Sequence, residues 1–82
     1  MNKLLQDFLN EEMNEHVKCL LLSRITECRN GVATGIYKYE FNRFVVTINC
    51  ESNEVTIEDD LNPSSDGEGS WPLDEFHSAL GQ

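Results

Sequence analysis

The sequence predicts a two-layer α+β domain: a long N-terminal helix, a three-stranded antiparallel meander and a short C-terminal helix. Two hydrophobic rhythms carry that expectation. Apolar residues recur at three- and four-residue steps through the first third of the chain and at two-residue steps through the middle. A third observation is electrical: every unit of the net charge of −9 falls after Arg43.

The helical rhythm runs over residues 3–29. Leu5, Phe8, Leu9, Met13, Val17, Leu20, Leu21, Ile25 and Cys28 form its stripe. Asn2 suits the N-cap, and Arg24 and Arg29 suit the negative end of the helix dipole. Asn30-Gly31 supplies a stop, because either residue tolerates the left-handed conformation. Asn10 and Asn14 are poor helix formers and mark places for a kink or break.

Residues 35–58 read as three strands because one choice of turns sorts both hairpins. A two-residue turn at Asn42-Arg43 sets Phe41 opposite Phe44, Tyr39 opposite Val46 and Tyr37 opposite Ile48. A second turn at Ser52-Asn53 sets Cys50 opposite Val55, Ile48 opposite Ile57 and Glu51 opposite Glu54. One face then carries the aromatic and aliphatic residues. The other carries Lys38, Glu40, Thr47, Asn49, Glu51, Glu54, Thr56 and Glu58, with Ile36 and Val45 as exceptions. Residues 59–70 read as a polar loop, and 72–80 as a helix opening on Pro72, with Leu73, Phe76 and Leu80 as its apolar stripe.

A chain of 82 residues is expected to form a single domain spanning 1–82. Such a chain buries only about 60% of its unfolded surface, so little room remains for a deep catalytic pocket. Lys3-Leu4-Leu5 is broken by Gln6 and Asp7, which is not the pattern of a secretory leader, and no apolar run is long enough to span a bilayer. Cys19, Cys28 and Cys50 are odd in number and widely spaced, with no CxxC pair. In a reducing cytoplasm they read as small buried apolar residues rather than a disulfide framework. The chain is therefore expected to be cytoplasmic.

Chemistry is narrowed by elimination. Asn62, Ser64, Asp66 and Gly67 match the early positions of a calcium loop, but Leu73 stands where a bidentate carboxylate is required. His16 and Cys19 are three apart on a helix without a second metal-ligand pair at a recognisable spacing. Asp66-Gly67-Glu68-Gly69 places acids where a phosphate would sit. The expectation is a protein without catalytic function, metal or cofactor.

What remains is charge. Residues 1–43 hold six acids and six bases, whereas residues 44–82 hold nine acids and no Lys or Arg. A one-signed field speeds encounter with an oppositely charged partner and repels nucleic acid and anionic membrane. The expected partner-binding surface comprises Glu51, Glu54, Glu58, Asp59, Asp60, Asp66, Glu68, Asp74 and Glu75, with Trp71 either packed beneath the loop or, where part of it is exposed, serving as an aromatic anchor. Glu58-Asp59-Asp60 is expected to be solvated as the strand runs into the loop.

The stretch YKYEFNRFVVTINCESNEVTIEDDL, with the later PLDEFHSAL, resembles small immunity proteins of bacterial toxin–immunity systems, including the partners of contact-dependent inhibition toxins. The likeness covers residues 36–80 and lies in the succession of hairpin, acidic strand exit, polar loop and short helix opening on Asp-Glu. It implies an immunity protein that binds and neutralises a cognate basic toxin domain, typically a nuclease, in the cytoplasm of the producing cell. The alternatives are a nucleic-acid mimic that inhibits a host DNA- or RNA-binding protein, and a small acidic adaptor whose charge serves solubility.

Overall fold

The computed structural model describes residues 3–12, 14–60 and 67–81, apart from the side chain of Lys3. It is α+β, with helices α1 (Lys3–Glu11), α2 (Glu15–Arg29) and α3 (Leu73–Leu80). The strands are β1 (Ile36–Glu40), β2 (Phe44–Asn49), β3 (Glu54–Asp59) and β4 (Glu68–Pro72), in one antiparallel sheet of order β1-β2-β3-β4. No helix among the described residues is long and apolar enough to cross a membrane.

The expected fold class needs two corrections. The long helix is two helices. Asn14 is extended (φ −134°, ψ 177°), and its side chain accepts the Val17 N–H at 2.9 Å, so it caps α2. The expected cap at Asn2 and the stripe residue Met13 lie outside the described residues. The sheet also has a fourth strand, which begins in the segment read as loop and ends on Pro72, so the last helix starts at Leu73 with Pro72 as its N-cap rather than its first residue. Glu68-Gly69-Ser70-Trp71-Pro72 carries little strand propensity, so its pairing with β3 supplies what its composition does not. Gly69 fits because the Trp71 ring lies over it, and a Cβ there would come within 2.8 Å of the ring.

The first hairpin has the expected register, closed by Phe41 N–H to Phe44 O at 2.8 Å. The second is shifted by two residues: Ile48 faces Val55 and Val46 faces Ile57. Asn49 causes the shift. Its Oδ1 accepts the N–H groups of Glu51 (2.9 Å) and Ser52 (3.1 Å), opening the connection to residues 50–53. Asn53 completes it in the left-handed region (φ +58°). A shift of two preserves which face each side chain takes, so the expected sorting survives.

One core results. Leu4, Leu5 and Phe8 of α1, Val17, Leu21 and Ile25 of α2, and Leu73, Phe76 and Leu80 of α3 join Phe44, Val46, Ile48, Val55, Ile57 and Trp71 of the sheet. Phe8 is the hub, edge-on to Phe44 at 5.6 Å and near Phe41 and Phe76 at 6.1 and 6.3 Å. All three helices therefore cover the same face of the sheet.

The cysteines depart from expectation. Cys19 is exposed, and Cys28 and Cys50 form a disulfide with Cα atoms 5.1 Å apart. The end of α2 packs over the end of β2, a proximity that a sequence separation of 22 does not reveal. Closing a loop of that size stabilises the fold by about 3 kcal/mol. Alkylation of the folded, unreduced chain should mark Cys19 alone. Reduction should lower the urea midpoint, and three reactive thiols before reduction would contradict the bond.

Candidate functional site

The ten residues expected to form one acidic surface are divided by the pleat. Side chains alternate across a strand, so Glu54, Thr56 and Glu58 share the face away from the helices. Asp59, like Val55 and Ile57, takes the covered face. It is 5% exposed, contrary to the expectation that it is solvated. Its carboxylate instead accepts two bonds from Arg43, Nε to Oδ1 at 3.0 Å and the terminal nitrogen to Oδ2 at 2.7 Å. Arg43 also pairs with Glu11 of α1, and its backbone N–H donates to Glu12 Oε1 at 3.2 Å. The bonds to Asp59 and then Glu11 hold the Arg43 guanidinium well above its ordinary pKa. Asp59 therefore belongs to a clamp joining α1 to the first hairpin turn and the end of β3.

Trp71 is also withdrawn from the expected surface. It faces the core at 9% exposure. Asp74 and Glu75 are exposed in the first turn of α3, on the helical layer, and Asp74 pairs with Arg29 at 3.3 Å. Arg29 and Asp74 line an open crevice of about 350 Å³ together with Asn53, Pro72 and Leu73. Glu51 is exposed in the turn before β3 and, through the register shift, no longer faces Glu54. Asp60 is exposed just beyond β3, its N–H held by Arg43 O at 2.8 Å. Asp66 lies outside the described residues.

The outer sheet face is what remains, and pairing registers place its residues in rows. One row is Glu40, Val45, Glu58 and Glu68; the next is Lys38, Thr47, Thr56 and Ser70; the third is Ile36, Asn49, Glu54 and Pro72. Thr56 and Ser70 hydroxyls bond at 2.9 Å. The four glutamates are exposed, and Lys38 is the one base in these rows. Glu40 was missed because the charge count began at residue 44, although alternation had already placed it on this face.

Glu58 and Glu68 are directly opposite in the β3–β4 ladder. Facing like charges weaken a sheet. Among the described residues neither Glu58 nor Glu68 has an ion-pair partner, and Arg43, in the first hairpin turn, is bound to Asp59 and Glu11. Among the described residues, no group of three or more His, Cys, Asp or Glu side chains could hold a metal ion. Comparison with family models, curated proteins and solved structures yields no match to this chain.

If the facing carboxylates repel, Glu68→Lys should stabilise the fold by up to about 1 kcal/mol. The gain, read by urea unfolding, should shrink as salt rises. A loss at low salt would show that the pair is relieved in some other way.

Proposed function

We propose that this chain is an immunity-type binding protein that neutralises a basic toxin domain, a nuclease, through the outer face of its sheet. The observation that carries the reading is the Glu58–Glu68 pair, two carboxylates held opposite each other on a face that no helix covers. Such a pair costs stability in the free protein. A cationic partner converts that cost into binding energy, because one ammonium or guanidinium group serves both carboxylates. Glu40 and Glu54 extend the surface along the sheet, with Asp60 and Glu51 at its ends.

A nuclease must hold phosphates, so its substrate cleft is basic. Carboxylates set on a rigid sheet can occupy that cleft or block its approach without chemistry of their own. The neutral first half of the chain keeps the field polarised toward β3 and β4, which favours fast, oriented encounter. On this reading the protein acts in the cytoplasm of the cell that makes the toxin. There the Cys28–Cys50 bond would stand as two thiols. Both lie on the covered side of the sheet, so reduction removes no carboxylate from the proposed surface.

The test uses the wild-type chain and a Glu58→Lys, Glu68→Lys double variant as baits in the native cell extract, followed by co-expression of each with the captured protein. The wild type should retain one basic nuclease domain and suppress its toxicity. The double variant should fold, associate about tenfold more slowly, and lose more affinity at low salt than at high salt. Equal protection by both chains would overturn the assignment. Capture of several unrelated nucleic-acid-binding proteins would replace the immunity reading with that of a nucleic-acid mimic.

A further inference from the structure

β1 is a free edge, and its ladder shows which backbone groups are spare. Phe41 N–H donates to Phe44 O, and Cys50 N–H donates to Gly35 O, at the two ends of the β1–β2 pairing. Bonded positions alternate along an antiparallel strand. Gly35, Tyr37, Tyr39 and Phe41 therefore turn their amides toward β2, and Ile36, Lys38 and Glu40 turn theirs outward. No described residue bonds to those outward groups. The other edge differs. Leu73 N–H donates to Asn53 O, so the same alternation turns Glu68, Ser70 and Pro72 outward from β4. Pro72 has no N–H to offer, and proline blunts an edge.

β1 lacks that protection. Ile36, its first residue, is 61% exposed, and Val32, four residues ahead of it in the chain, is 74% exposed. Tyr37, Tyr39 and Phe41 are only half-buried on its covered side. Arg24 fixes two of them, with its guanidinium 4.1 Å from the Tyr37 ring centre and Nε donating to the Tyr39 hydroxyl at 2.9 Å.

We propose that β1 pairs antiparallel with β1 of a second copy of this chain, in the register that sets Lys38 opposite Glu40 of the partner subunit. Outward amides must meet outward amides, so Ile36, Lys38 and Glu40 can pair only among themselves or with their even-numbered neighbours. Centring the pair on Lys38 would oppose two ammonium groups. Shifting toward Ile36 opposes Lys38 to an aliphatic residue. Centring it on Tyr39 makes two reciprocal Lys38–Glu40 pairs, and it places Tyr39 against Tyr39 and Tyr37 against Phe41 on the aromatic side. The charge distribution favours this edge as well. β1 carries one base and one acid, and the acids of β3 and β4 lie at the far side of each sheet, away from the join.

The experiment is sedimentation equilibrium of four full-length chains at concentrations up to about 0.5 mM: wild type, Lys38→Glu, Glu40→Lys, and both substitutions together. The wild type should form dimers. Each single variant should dimerise at least about tenfold more weakly, because both cross-pairs become like-charged. The double variant should recover wild-type dimerisation. Glu40→Lys is the discriminating single change, since it lowers the net negative charge yet should weaken the dimer. A Lys38→Pro chain, which loses only an outward N–H from the backbone, should be monomeric with an intact fold. A monomeric wild type, equal dimerisation of all four chains, or a double variant that stays monomeric would each overturn the proposal. None of these outcomes bears on whether the outer face binds a toxin.

Discussion

The pleat of the sheet is the constraint on which the rest depends. Each strand residue faces opposite to its neighbours, so choosing the apolar set for one side dictates what the other side presents. Phe44, Val46, Ile48, Val55, Ile57 and Trp71 take one face, and all three helices must cover it. The opposite face is left to Glu40, Glu54, Glu58 and Glu68. Core and candidate surface are thus two consequences of one alternation, which is why a two-residue register shift in the second hairpin changes neither.

The same constraint accounts for Asp59. Its position commits its side chain to the covered face, where an unpaired carboxylate would be costly. Arg43 answers it from the first hairpin turn with two bonds, and then reaches Glu11 and Glu12 at the end of α1. This ties the break after α1 to the sheet. It also explains why a base stands in the first hairpin turn. The clamp consumes positive charge that would otherwise offset the outer face.

Periodicity made the helical and strand segments legible, together with the first register and the division into polar and apolar faces. What escaped had non-local causes. β4 has a glycine, a serine and a proline, and it is a strand because β3 offers it a partner. The second turn lengthens because the Asn49 side chain captures two amides. Cys28 and Cys50 meet only after α2 packs across the sheet. Of the expected site, Glu54, Glu58 and Glu68 lie together on the outer face. Asp59 could have been excluded by carrying the alternation one residue past Glu58. Burial of Trp71 is the usual fate of a large aromatic, but the strand that turns it into the core is not announced by its composition.

In the proposed function, binding depends on carboxylates held on the sheet face opposite the helices, and on their separation from the acids of α3. Carbodiimide footprinting of the chain, free and in complex with the proposed basic toxin domain, reads that separation residue by residue. Glu40, Glu54, Glu58 and Glu68 should be labelled in the free protein and protected in the complex, while Glu75 on the helical layer keeps its reactivity and the buried Asp59 stays unlabelled in both. Protection of Asp74 and Glu75, with the outer-face glutamates still reactive, would contradict the account.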